Sequence, residues 1–476
     1  MKDIRKTIAV LGMMALLGCL PTAAIAQVAS DETPPETVDA TEPTAESEPV
    51  ANPIESYRQG VDKFNQGQYS EALADFNQAI SLNPSYAEAY THRAAVYLQL
   101  EEWQLAMNDL NRAIELNPDL AFAHLNRGIL HHKLGADQQA INDFDRAIAI
   151  TPVYADARLY RGIVYEDMGN YPAALEDFSK AIELEPDQVD GYLHRGAVYN
   201  ELGEYMPAVA DYSQAIDLQP RHAEAHVNRG AAYYQLGQLD LALADLNRGI
   251  RLNGESVRGH YNRGFVYFAM NRPQRAMQNF SRAIELQPDF ADAYLNRGIV
   301  QASQGDFASA ETDFSNVLEL QPNSAQAYKF RADVSLIGED ELAAIADYNE
   351  AILIAPNYAE AYRGRGKAHW TMSNLERAMA DYNQAIELRP NFPEAYAERG
   401  ALFVEMDDAQ RAYEDFTRVL QTDTENPEIY HGRGLARIRL GDSTGAMSDF
   451  EQAAALYLEQ GMAEGYRAVL DDMAQL

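Results

Sequence analysis

The 476 residues predict an all-α solenoid, built from twelve helix–turn–helix repeats and one capping helix. Three observations carry this. Shifting the chain by 34 residues lays Ala on Ala at 72, 106, 140, 174, 208, 242, 276, 310, 344, 378, 412 and 446. Twelve residues before each Ala stands Gly or Ala, as at Gly60 and Ala94; four residues after it stands Phe, Tyr or Leu, as at Phe76 and Leu110. Pro closes nine of the repeats, at 84, 118, 152, 186, 220, 288, 322, 356 and 390. A fixed period of this length marks stacked supersecondary units rather than a globule.

Each repeat reads as two helices. In 87–120 the first runs from about Ala87 to Leu100 and the second from about Trp103 to Glu115, with apolar residues three and four apart. Small residues on both helices let the axes approach, and the large Phe, Tyr or Leu fills the space beside them. The closing Pro ends the second helix by pushing the residue before it out of the α region. The pattern resembles the tetratricopeptide repeat through Tyr90, Ala94, Tyr97, Ala106, Leu110, Ala113 and Pro118, and it recurs in phase from Pro53 to Gln460. The resemblance implies a right-handed superhelix with a protein-binding groove lined by the first helices.

In chain order, residues 1–26 read as a secretory signal. Lys2, Arg5 and Lys6 precede the apolar run Ile8–Leu17, and Pro21 stands ahead of the small-x-small site Ala24-Ile25-Ala26. Leu16-Leu17-Gly18-Cys19 resembles the bacterial lipobox, so two destinations stay open: a soluble exported chain beginning at Gln27, or a lipoprotein anchored through Cys19. Cys19 is the only cysteine, so cleavage after Ala26 removes disulfide and thiolate chemistry altogether. Residues 27–52 carry Pro34, Pro35, Pro43 and Pro49 among acids, with no Lys or Arg, and read as an acidic disordered linker.

The repeats come next, at 53–86, 87–120, 121–154, 155–188, 189–222, 223–256, 257–290, 291–324, 325–358, 359–392, 393–426 and 427–460. Residues 461–476 read as an amphipathic helix with Tyr466, Val469, Leu470 and Met473 on one face, covering the last repeat.

One departure from the resembled pattern is systematic. Before the small residue of the first helix stands Arg, and sixteen residues later Asp. The pairs are Arg93 with Asp109, Arg127 with Asp143, Arg161 with Asp177, Arg195 with Asp211 and Arg229 with Asp245. They continue with Arg297 and Asp313, Arg331 and Asp347, Arg365 and Asp381, Arg399 and Asp415, and Arg433 and Asp449. A catalytic pair would be unique; a ladder reads as a structural bridge between the two helices of each repeat. Gln59 with Asp75 and Arg263 with Asn279 each lack one charge.

The formal net charge of −34 opposes phosphate backbones and anionic lipid, which argues against a nucleic-acid partner. The repeat 257–290 runs against this with Arg258, Arg263, Arg272, Arg275 and Arg282. Gly254 stands before it where Pro is usual, and Gly249 where Ala is usual; places where several rules fail together are often functional or strained.

By resemblance, the second, fifth, ninth and twelfth residues of each first helix line the groove. The fifth and ninth positions give Leu125 and Ile129, Leu159 and Ile163, Leu193 and Ala197, Val227 and Ala231, Tyr261 and Phe265, and Leu295 and Ile299; Phe268 and Arg258 join them. Such a stripe is a binding surface for an apolar peptide segment if it faces solvent, and core if the stacking of repeats covers it. A second candidate is the basic cluster Lys329, Arg363 and Lys367, near His369 and Trp370, which suits a carboxylate unless it is a solvated charge cluster. Chaperone-binding members of the family clamp carboxylates with Lys and Asn at the fifth and ninth positions. Here Asp333 follows Lys329 and Lys367 follows Arg363, so that clamp is not reproduced.

No glycine-rich phosphate loop, G-x-S-x-G or H-E-x-x-H occurs. His131 and His132 are adjacent on one helix and diverge, while His124, His226 and His260 fall at packing positions. The expectation is therefore a non-enzymatic protein-binding scaffold of a bacterial envelope, without cofactor or metal, with a role in assembly of an envelope complex. The alternative is a targeting subunit of a separate enzyme complex, such as one for glycan or cell-wall synthesis.

Overall fold

Close approach of two helix backbones is what the small residues of each repeat provide. A Cβ added at Gly128 would fall 2.6 Å from the Phe144 ring, and one at Gly434 2.4 Å from Phe450. Where the facing residue is Leu110, Ala94 is accommodated instead. The rings so seated, Phe76, Phe144, Phe178, Phe280, Phe314 and Phe450, are fully buried.

The computed structural model describes residues 52–476, which fall into two compact units, 52–254 and 255–476. Both are entirely helical among the described residues. The signal, the lipobox and nearly all of the acidic linker lie outside the described residues.

The first unit contains α1 (Pro53–Asn65), α2 (Tyr69–Leu82), α3 (Ala87–Gln99), α4 (Trp103–Leu116), α5 (Ala121–Lys133) and α6 (Asp137–Ile150). It continues with α7 (Ala155–Asp167), α8 (Tyr171–Leu184), α9 (Val189–Glu201), α10 (Tyr205–Leu218), α11 (Ala223–Gln235) and α12 (Leu239–Leu252). The second unit contains α13 (Val257–Ala269), α14 (Pro273–Leu286), α15 (Ala291–Gln304), α16 (Phe307–Leu320), α17 (Ala325–Ile337), α18 (Glu341–Ile354) and α19 (Ala359–Thr371). It ends with α20 (Leu375–Leu388), α21 (Pro393–Glu405), α22 (Ala409–Val419), α23 (Pro427–Arg439), α24 (Ser443–Glu459) and α25 (Ala463–Met473).

Odd-numbered helices up to α23 open the repeats and even-numbered ones close them. Within each unit, opening helices also touch the next opening helix, as α3 does α5 and α17 does α19. The residue ahead of the closing Pro is extended, as at Asn117 with φ −139° and ψ 96°. Its side chain then accepts from the Asp119 amide. Gly249 has a specific cause: a Cβ there would fall 2.6 Å from Val227, a groove-position side chain that turns inward.

The end helix is shorter than expected. In α25, Val469 is buried against the last repeat with Tyr466 and Met473 partly so, but Leu470 is exposed and does not share that face.

All ten charged rungs of the ladder close with the same two bonds. Arg195, for example, donates from Nε to Asp211 Oδ2 at 2.9 Å and from Nη2 to Oδ1 at 2.7 Å. The third nitrogen reaches the preceding repeat: Arg93 Nη1 donates to Asn77, Arg127 to Asn111, Arg195 to Ser179 and Arg365 to Asn349. Such a guanidinium fastens two repeats as well as two helices, and it lies beside Tyr rings, as Arg93 does at 5.4 Å from Tyr90. Arg263 meets the neutral Asn279 at 2.8 Å instead, and burial without a facing carboxylate on that rung draws its pKa below the usual arginine value.

Candidate functional site

The apolar stripe expected to line a groove is largely core. Leu159 is 2% and Phe265 4% exposed, and Leu125, Ala197, Val227, Ala231, Tyr261, Leu295 and Ile299 are equally sealed. For the large side chains the reason is size and reach. Leu125 packs with Phe144, Ala157 and Val164, thereby joining its own repeat to the next. Leu159 does the same with Phe178 and Val198, and Leu295 and Ile299 with Phe314 and Phe330. Phe265 stands edge-on to Tyr261 at 4.9 Å and to Phe280 at 5.4 Å, inside its own hairpin. Ile129, Ile163, Leu193, Arg258 and Phe268 keep partial exposure.

The same helix positions open a cleft elsewhere, in the second unit. A cavity of about 600 Å³ lies along α19, α21 and α23. Its lining takes Arg363, Lys367 and Trp370 from the fifth, ninth and twelfth positions of α19, and Ala397, Ala401 and Val404 from the matching positions of α21. Glu428, His431 and Leu435 join from α23. Here the fifth and ninth residues of the middle helix are both Ala, so nothing spans the gap as Leu125 and Leu159 do in the first unit. Gly432 widens it further, because a Cβ there would sit 2.5 Å from the floor residue Phe416. Ile429 and Tyr457 complete an apolar floor.

The walls are held from behind. Trp370 Nε1 donates to Glu405 Oε2 at 2.6 Å, tying α19 to α21. His431 meets Asp472 of α25 at 2.7 Å and stands edge-on to Phe450 and Tyr457.

The basic cluster is not three available cations. Lys329 is 3% exposed, and its ammonium lies 2.7 Å from Asp333, which also accepts from the Tyr348 hydroxyl at 2.6 Å. A buried lysine needs such a partner, and its burial closes it to a ligand. His369 is buried facing Asp381 and does not line the cleft; Trp370 does.

Arg363 faces Glu398 with Nη1 and Oε1 3.7 Å apart, their side chains 16% and 21% exposed. Arg363 Nε, Glu398 Oε2 and the Tyr382 hydroxyl are buried without hydrogen-bond partners. Burial pushes the Glu398 carboxyl above the usual carboxylate range, against the pull of Arg363 and Lys367. With Lys367 and Glu428, the cleft carries two charges of each sign.

Sequence reasoning misses Glu398, Ala397, Ala401, Ile429, His431 and Gly432. The signal available is the change of fifth and ninth residues from large apolar to Ala at 397 and 401. The histidines at packing positions behave as core groups: His124 bridges Asp143 and the Pro118 carbonyl, and His226 bridges Asp245 and the Pro220 carbonyl. His131 and His132 diverge, His132 reaching Asp137 at 2.9 Å and Asp167 at 3.2 Å. No described helix is long and apolar enough to cross a membrane.

Comparison with known families finds the TPR repeat over residues 60–101, 96–135, 198–237, 230–271 and 371–407. The tetratricopeptide repeat is matched again over 155–188, 257–290 and 291–324. Among solved structures, the chain is similar to the APC/C hetero-tetramer Cut9–Hcn1, with 14% identity and a TM-score of 0.49, over 88% of this chain and 96% of that one. It is also similar to yeast Tom70, with 16% identity and a TM-score of 0.42, over 89% and 96% of the two chains. YrrB, described as a TPR protein with an unusual peptide-binding site, matches at 25% identity and a TM-score of 0.34, over 39% of this chain and 96% of that one.

Proposed function

Because the chain is a tetratricopeptide-repeat protein, we propose that it is a non-enzymatic scaffold holding a partner polypeptide in the cleft along α19, α21 and α23. The fold is one typical of protein–protein interaction scaffolds. The observation that carries this reading is the cleft itself: about 600 Å³, apolar at its floor and ringed by Arg363, Lys367, Glu398 and Glu428. A few placed polar groups around an apolar surface are what a recognition site needs. Its charged groups make no nucleophile–base pair, so the site offers binding rather than turnover.

The place of action is a bacterial cell envelope, and the role is assembly of an envelope complex. The place rests on the basic, apolar and small-residue pattern of residues 1–26, and the role only on the likeness to the tetratricopeptide-repeat family. The mature chain begins at Gln27. Intact-mass analysis of the exported protein tests this, and a lipid-modified Cys19 would place the protein on a membrane instead.

Site-specific photocrosslinking tests the cleft. A crosslinker at position 404 gives a discrete adduct with one partner, and Ala401→Trp removes it. A crosslinker at the buried position 265 gives none. Absence of any adduct at 404, or an adduct that survives Ala401→Trp, overturns the site.

A further inference from the structure

The Arg363–Glu398 pair differs from every closed rung of the ladder. Ten times in this chain an Arg and an Asp close two hydrogen bonds, as Arg297 and Asp313 do at 2.8 and 2.7 Å. Arg363 and Glu398 stop 3.7 Å apart, beyond hydrogen-bond range, although both are more than three-quarters buried. Of their polar atoms, Arg363 Nε and Glu398 Oε2 are buried without a hydrogen-bond partner. A buried donor and acceptor left this way are costly unless something else satisfies them.

We propose that this gap reads a primary carboxamide, the side chain of Asn or Gln on the partner segment. This rests on the reading of the cleft as a polypeptide site. A primary carboxamide presents its carbonyl oxygen and one N–H side by side on one edge. The oxygen accepts from the Arg363 guanidinium and the N–H donates to the Glu398 carboxylate, so one neutral group bridges both. A single backbone amide cannot do so, since its N–H and C=O point in opposite directions in the trans peptide; the N–H and C=O of one extended residue can, and binders held that way share no side chain at one position, which overturns the assignment. A carboxylate satisfies Arg363 and meets Glu398 as a like charge; an ammonium satisfies Glu398 and meets Arg363.

The rest of the lining agrees. Lys367 and Glu428 balance, which favours a neutral occupant. Val404, Ile429 and Leu435 offer apolar surface beside the pair, so apolar residues flank the Asn or Gln. Selectivity for a polar neutral group then comes from groups that stay unmet with any other ligand.

The test is selection of a random dodecapeptide phage library on the full chain, with Ala401→Trp as the cleft-filled control. Peptides that bind the unaltered chain and not the control carry Asn or Gln at one shared position, beside apolar residues. Replacing that residue in a synthetic peptide by Glu, Lys or Ala weakens binding at least tenfold. Glu398→Lys moves the selected residue to Asp or Glu, a change that a role in stability alone does not produce; circular dichroism verifies that this variant folds. A shared Asp, Glu, Lys or Arg in the first selection, or a consensus unchanged by Glu398→Lys, overturns the carboxamide assignment while leaving the cleft reading in place. Identical peptides on the chain and on Ala401→Trp, or no binders at all, overturn the cleft reading itself.

Discussion

Arginine is the residue on which the repeats depend, because one planar group with fixed donors serves three partners. In Arg195 two nitrogens hold Asp211 and the third reaches Ser179 of the preceding repeat. Asp211 is almost fully buried, so removing the guanidinium strands a charge. Arg195→Met is expected to cost roughly 3 kcal/mol, and Arg195→Met with Asp211→Leu less than that, because no buried carboxylate remains. Chemical denaturation of the two variants checks this; equal losses would show that the bridge is not what the Arg contributes. The intra-repeat half of this device is legible in the sequence, as a spacing of sixteen residues. The other half is written there too, as a polar residue two places after each Asp, such as Asn111 after Asp109. It carries no signal on its own, because a polar residue on a helix surface has no need of a partner.

A second effect of a single side chain concerns acid. His92 is buried, bonded through Nδ1 to the Glu88 carbonyl and the Tyr57 hydroxyl, and burial lowers its pKa to about 4. The unfolded imidazole protonates near pH 6.5, so between about 6.5 and 4 the unfolded chain holds more protons. Stability is therefore present above about pH 6.5 and falls as the pH drops through this window, by up to about 3 kcal/mol. Apparent Tm between about pH 7 and 4.5 should fall less in His92→Gln than in the unaltered chain, since Gln does not titrate there. Parallel curves would remove His92 from the acid response.

Among the helices, position follows from periodicity and punctuation. The second helix of 87–120 ends at Leu116, one residue past the expected Glu115, and the first at Gln99. What periodicity does not give is direction. A large apolar residue at the fifth or ninth position looks the same whether it lines a groove or packs into the core, so the pattern puts Leu159 and Phe265 on an open surface that they do not form. Size on one helix contributes: Ala397 and Ala401 are both small and the cleft lies beside them, whereas the small Ala197 and Ala231 are buried. The turns between helices carry a separate cost. Gly135 and Gly169 take the left-handed conformation freely, whereas Glu339 is held at φ 62° at the matching turn. Glu339→Gly should stabilise the second unit by about 1 kcal/mol, less the extra entropy glycine brings to the unfolded chain. A fall in apparent Tm would show that the Glu339 side chain contributes more than its backbone costs.

Stability in the solenoid is local throughout. Each repeat rests on its sequence neighbours, so a change propagates only as far as those contacts carry it. The end of the second unit is where this is most easily measured. Val469, Tyr466 and Met473 of α25 cover α24 and α23, and Asp472 fixes His431 at the cleft wall. Their combined burial is worth roughly 3–6 kcal/mol at the usual value for apolar side chains. A chain shortened to end at Gln460 should lose that amount from its last repeat and expose Tyr457 and Ala454, which are otherwise buried. Hydrogen exchange then accelerates across Ser443–Glu459 and falls back to its normal rate within a repeat or two toward the N-terminus, leaving α1–α12 protected as before. Because the cleft draws Glu428, His431 and Leu435 from the same repeat, peptide capture at position 404 weakens in the shortened chain. Val469→Asp, which keeps the helix and removes its anchor, should reproduce both effects. Acceleration spread evenly over all repeats would contradict the nearest-neighbour account, and unchanged capture would show that the cleft holds its shape without α25.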